Sequence, residues 1–186
     1  DKDGNWSYQN NFDPTVFTGK GNNDYCEGNA WHWTWHVMQD VQGLINLMGG
    51  EQAFENKLNA FMTAPSHGRH ATKGMGQYWH ANEPDQHALY SYMFIGKPGK
   101  TADYIRQCLD QEYKNNDWGI SGNEDAGQMS AWYLFSAMGF YPYTHSVPEY
   151  VIGTPLFDKV TMNIRGRKLV INAKNNSESN KYIQNA

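Results

Sequence analysis

The sequence predicts a mainly helical chain of paired helices followed by a small C-terminal β region. Three observations carry that expectation. Apolar residues recur at three and four positions through most of the stretch from Trp33 to Tyr113. Three times, an acid beside Asn and a Gly or Pro stands directly before an apolar run, at Glu27, Glu83 and Glu124-Asp125. After Pro142 the helical period gives way to short β-branched runs separated by Pro, Gly and charged turns.

In chain order, residues 1–24 are rich in Asn, Asp and Gly and read as an irregular lead-in anchored by Phe12 and Phe17. From Trp33 to Met48, the residues Val37, Val41, Leu44, Ile45 and Met48 mark one buried helical face, which Gly49-Gly50 stops. That short joint sets a second helix, from Glu51 to about Met62, antiparallel to the first, with Phe54, Leu58 and Phe61 on its stripe. The loop from Thr63 to Gly76 is long and polar, and is either mobile or shaped for a task. Gln77-Tyr78-Trp79-His80 then leads into the second acidic turn, where Pro84 fits the first turn of a helix reaching Ile95.

Pro98 opens the next helix, whose buried side is Tyr104, Ile105, Cys108, Leu109 and Tyr113, up to Asn115. Glu124 and Asp125 precede an aromatic-rich helix closed by Gly139 and Pro142. Strands are expected at Tyr150–Gly153, Lys159–Ile164 and Lys168–Asn172. Three strands cover only one face of a core, which leaves open a truncated β region or a frayed end. The chain thus divides into 1–24, a helical body at 25–142 and a β-rich region at 143–186. Its three acids lie roughly 40 to 56 positions apart, about one helical hairpin each, so hairpins packed side by side would bring the acidic starts to one end.

Composition excludes several functions. A net charge of −4 with no basic run argues against nucleic-acid binding, and no apolar stretch approaches the roughly 20 residues of a membrane span. Asp1 and the polar residues after it carry no secretion signal, so the chain reads as cut from something longer or matured. Cys26 and Cys108 read as free thiols, and neither has zinc-ligand spacing. Gly99-Lys100-Thr101 ends like a phosphate loop, but Phe94 stands where the first glycine should be. Seven Trp and twelve Tyr are consistent with sugar-stacking surfaces or with a large aromatic core.

Two carboxylates across a pocket are what glycosidic cleavage requires, one to protonate the leaving oxygen and one to activate water or attack. Glu27, near Trp31 and Trp33, suits the acid in an apolar setting; Asp125, at a helix start, suits the ionised partner. Asn82-Glu83 offers the hard oxygens that calcium prefers, two of the six to eight it takes. His36, His67, His70 and His145 read as packed or solvated, whereas His80 and His87 straddle the second acidic turn within reach of sugar hydroxyls. A hydrolase, a glycan-binding module and a helical scaffold with acids as caps all remain open on these residues alone.

Glu27-Gly28-Asn29-Ala30-Trp31, Leu47-Met48-Gly49-Gly50, Gly76 through Pro84, Gly122 through Trp132 and Tyr150 through Pro155 together resemble glycoside hydrolase family 92, the calcium-dependent exo-acting α-mannosidases. The resemblance runs from about Tyr25 to Phe157. It implies the C-terminal portion of an (α/α)6 barrel that begins before this chain does, preceded in the family by an N-terminal β-sandwich domain, so that this chain's partner would be the N-terminal remainder of the same enzyme. It also implies inverting hydrolysis of terminal α-linked mannose, α-1,2 above all, from glycans such as N-glycans, with calcium at the sugar's 2- and 3-hydroxyls. Carried onto this sequence, Glu27 is the general acid and Asp125 the base, with Glu124 its substitute. Trp31, His80, Asn82 and Gln86 then line the sugar, and Asn82 and Glu83 hold calcium. His32 stands where the family pattern has Gln, and Asp85-Gln86 where it has Ser-His. Family members are commonly exported bacterial enzymes, which implies a periplasmic or secreted location.

Overall fold

A computed structural model describes residues 3–4, 12–17, 25–66 and 70–186. Most of the lead-in therefore lies outside the described residues, as does His67. Of its two expected anchors, Phe17 stacks on His70 at 3.9 Å between ring centroids and meets Trp79 edge-on, while Phe12 is exposed.

The helix expected from Trp33 to Met48 is two helices, α1 (Ala30–Trp33) and α2 (Val41–Leu47). The break has a local cause. Thr34 Oγ1 donates back to Ala30 O, and Asp40 caps a new start by accepting from Gly43 N at 2.8 Å. After Gly49-Gly50, both in left-handed backbone, α3 (Glu51–Thr63) packs against α2 with Phe54, Leu58 and Phe61 buried, as the stripe predicts.

Glu83–Ile95 forms a 13-residue 3₁₀ helix rather than an α-helix, with Pro84 in its first turn. It is the hub of the molecule. Helices α1, α2, α3 and α4 (Pro98–Glu112) all pack against it, and nearly every one of its residues is buried. Helix α5 (Gln128–Met138) packs on α4 and ends at a left-handed Gly139. Much of the aromatic surplus is core. Trp35, Trp132, Tyr78, Tyr90 and Tyr92 are fully buried, Tyr90 stacks on Tyr141 at 4.5 Å, and its hydroxyl meets Ser136 Oγ at 2.8 Å.

β1 (Phe140–Tyr141) pairs antiparallel with β2 (Val151–Ile152), a pairing that crosses residue 142. β3 (Lys159–Ile164) and β4 (Arg167–Asn172) form a separate hairpin closed by Arg165-Gly166, both at positive φ as a two-residue hairpin turn requires. The tail is tied to α4. Arg106 donates to Thr154 Oγ1 at 3.1 Å, to Pro155 O and to Asn176 Oδ1 at 2.6 Å, while Asp103 accepts from Lys181 and Tyr182. Cys26 and Cys108 are both free thiols.

Candidate active site

The first acidic turn is anchored by Asn29. Its Oδ1 accepts from His32 N, and its own N–H donates to His32 Nδ1, both at 3.1 Å. Nε2 of the same ring then carries the proton and donates to Gln77 O at 2.8 Å. Burial lowers the His32 pKa to about 4. Glu27 sits just before this cap in left-handed backbone at φ 47°, a region that non-glycine residues rarely occupy. Its side chain is exposed rather than enclosed by Trp31 and Trp33. Trp31 stacks on Phe61 on one side and carries Lys57 Nζ 3.9 Å from its ring, and Trp33 Nε1 donates to Cys26 O.

The second turn is built over a buried acid. Asp85 Oδ2 accepts from Trp79 N at 3.1 Å, and burial pushes its carboxyl well above the usual carboxylate range. Asn82 and Glu83 are half-buried at the rim of this turn. His80 is not at the rim: it is wholly buried, with both ring nitrogens engaged. Tyr113 donates its hydroxyl to Met129 O at 3.0 Å, so it accepts from His80 Nε2 at 2.7 Å, and Tyr78 donates to Nδ1 at 2.6 Å. Gln86 is equally enclosed. Its Nε2 faces His80 O and Met129 Sδ, and its Oε1 accepts from Gln128. His80 and Gln86, expected to meet sugar, both lie beneath the turns and join the second to the start of α5. His87, also buried, donates to Trp35 O at 2.5 Å.

In the third turn Asp125 (φ 42°) and Ala126 (φ 56°) are again left-handed. Glu124 is fully used as a cap, both its oxygens accepting from Ser130, whereas no hydrogen bond or ion pair among the described residues engages the carboxylate of Asp125 or of Glu27. The three turns touch. Asn82 Nδ2 donates to Glu27 O at 2.6 Å, and Gly122 lies so close to Ala81 that a Cβ there would stand 2.7 Å from Ala81 O. A cavity of about 1060 Å³ between α4, α5 and the tail, lined among others by Arg106, Tyr133 and Lys181, includes none of these acids.

Residues 1–186 match the profile of the glycosyl hydrolase family 92 catalytic domain. The chain belongs to glycosyl hydrolase family 92. Its fold superposes on that of a family 92 α-mannosidase from Bacteroides thetaiotaomicron, solved in complex with mannoimidazole. The TM-score is 0.90 and the identity 36%, over 98% of this chain and 25% of that one. A family 92 inverting mannosidase from the same organism is 42% identical with a TM-score of 0.78, over 95% of this chain and 25% of that one. A secreted glycosidase of Arthroderma benhamiae is 25% identical over 98% of this chain and 23% of its own length. The family 92 chain thus spans about a quarter of the length of these relatives.

Sequence reasoning missed the residues that hold the turns: Trp33 on the Cys26 carbonyl, Ser130 on Glu124, and Tyr78 and Tyr113 on His80. The signal for Glu124 was available, because an acid shortly before a helix is a ready acceptor for the open N–H groups of its first turn. Tyr78 lies only two residues from His80, but the Tyr113 contact spans 33 residues and left no local mark.

Proposed function

We propose that this chain supplies the catalytic rim of an exo-acting α-mannosidase that removes terminal mannose from α-linked glycans with inversion, the α-1,2 linkage and N-glycans among its substrates. The observation that supports this is the pair Glu27 and Asp125. Both are exposed, both stand in left-handed backbone, and they sit in two turns joined through Ala81 and Asn82 of a third. Such strained backbone gathers at functional sites.

The Glu27 carboxyl protonates the glycosidic oxygen as the bond to the anomeric carbon breaks. Asp125 takes a proton from the water attacking that carbon from the opposite face, which inverts its configuration. This chemistry asks for about 6.5–9.5 Å between the carboxyl groups, room for one water. Glu124, held by Ser130, fixes the start of α5 rather than acting as base.

Calcium fits the second turn by donor type. The Asn82 carbonyl and the Glu83 carboxylate are adjacent hard oxygens that accept no hydrogen bond among the described residues. Among the described residues no three His, Cys, Asp or Glu form a metal cluster, so these two would be part of a shell that sugar hydroxyls and water complete. Bound there, the cation would supply an electrostatic hold on the sugar hydroxyls. By family likeness the helices belong to an (α/α)6 barrel completed by the rest of a longer polypeptide, and the enzyme is exported. No helix among the described residues is long and apolar enough to cross a membrane.

The test is hydrolysis of α-1,2-, α-1,3- and α-1,6-mannobioses by the full-length protein, with calcium and with chelator. Glu27→Gln and Asp125→Asn should each lower kcat at least about 10³-fold with unchanged melting. Mannoside binding without hydrolysis would replace this reading with a binding module, and full activity in both variants would overturn the roles given to Glu27 and Asp125.

A further inference from the structure

We infer that Asn82 is a positioning residue for the general acid: the nitrogen of its amide fixes the Glu27 peptide, while its oxygen is left to the cation. The inference rests on the proposed roles of Glu27 and of the Asn82-Glu83 turn.

The Glu27 carboxylate has no partner of its own among the described residues, so its placement is set by its backbone. That backbone is left-handed and is clamped on both sides. Trp33 Nε1 donates to Cys26 O at 3.0 Å, and Asn82 Nδ2 donates to Glu27 O at 2.6 Å across 55 residues of sequence. Gly28 lets the indole close in, because a Cβ there would stand 2.7 Å from Trp33 Nε1.

The chemistry also fixes which way the Asn82 amide faces. Only the NH₂ end can meet a carbonyl oxygen, since two acceptors in contact would repel. Oδ1 is thereby turned away from Glu27 O and accepts no hydrogen bond among the described residues, which leaves it to a cation. Asn82 is held in its turn by its own N–H on Trp79 O at 3.3 Å, and Trp79 by buried Asp85. One side chain therefore sets the acid and one calcium oxygen together.

The experiment compares two substrates in the full-length enzyme: a mannobiose, whose leaving group needs a proton, and 2,4-dinitrophenyl α-mannoside, whose leaving group needs none. Asn82→Asp keeps an oxygen for calcium but sets a carboxylate against the Glu27 carbonyl. It should lower kcat on mannobiose about 10²-fold and on the dinitrophenyl substrate less than threefold. Calcium affinity, read by titration calorimetry without substrate, should stay within threefold of wild type or tighten. Asn82→Ala adds no charge to the turn and serves if the aspartate variant fails to fold; it should show the same substrate contrast and weaker calcium binding.

Glu27→Gln is the control and should discriminate between the substrates in the same sense. If it does and neither Asn82 variant does, the inference falls while the proposed function stands. If Glu27→Gln loses both substrates equally, the acid assignment falls and takes the inference with it.

Discussion

Both oxygens of Glu124 accept hydrogen bonds from Ser130, Oε1 from its N–H at 3.0 Å and Oε2 from its hydroxyl at 2.9 Å. Ser130 is the third residue of α5, so Glu124 satisfies an N–H that the helix itself leaves open. Asp125, next in sequence, points into no such partner. Adjacent carboxylates therefore divide into a cap and a candidate base. Glu124→Ala should lower stability by about 1 kcal/mol and kcat by less than tenfold. Asp125→Asn should leave melting unchanged and abolish turnover. Paired thermal and kinetic measurements on the two variants check this.

Gly122 tests the junction between the second and third turns. At φ 70° an added methyl is strained, and it would also strike Ala81 O and Ala81 Cβ. Gly127, at φ 88°, carries the same kind of backbone strain with nothing within 4 Å of an added Cβ. Gly127→Ala should therefore cost about 1 kcal/mol. Gly122→Ala should cost more and should lower kcat as well, because it pushes the turn that carries Asp125 away from the second turn, whose Asn82 holds Glu27. Chemical denaturation of both variants separates the two contributions.

Stability should fall as pH drops below about 6.5. Burial lowers His80 to about 3 and His32 and His87 to about 4. Between those values and 6.5 the unfolded chain takes up protons that the native chain refuses, which costs up to about 1.4 kcal/mol per pH unit for each group. Asp85 acts in the opposite sense. Its raised pKa means that above about 4 the unfolded state releases a proton that the native state keeps, so its contribution weakens as pH rises. Melting temperature should climb from pH 4 to 6.5, and Asp85→Asn should raise it selectively at neutral and alkaline pH. A melting temperature flat across this range would contradict the assignment.

Arg106 holds the tail on α4 through Thr154, Pro155 and Asn176 at once. Only a planar fork reaches three such partners, so Arg106→Lys should not rescue Arg106→Ala. Either change should cost about 2 kcal/mol and open residues 174–182 to proteolysis, while turnover at the distant turns stays unchanged.

The helical body and the strands were legible because burial imposes a period: Phe54, Leu58 and Phe61 fall on one stripe, and Lys159–Met162 alternates. The break at Thr34–Asp40 was hidden because the apolar spacing continues across it, and two polar side chains decided the matter. The 3₁₀ form of Glu83–Ile95 was hidden because a helix buried on all sides shows no preferred face. Candidate acids could be read from capping chemistry before each helix. Which polar residues face out could not, and His80 and Gln86 are internal struts because Tyr113 and Gln128, which hold them, come from elements far away in sequence.

In the proposed mechanism Glu27 and Asp125 face one sugar from opposite sides, acid against base. Proton NMR of the first sugar released from an α-mannoside by the full-length enzyme reads out that arrangement. β-Mannose should be released first, with the α anomer appearing only by slow mutarotation. α-Mannose as the first product would require a covalent intermediate and would contradict it.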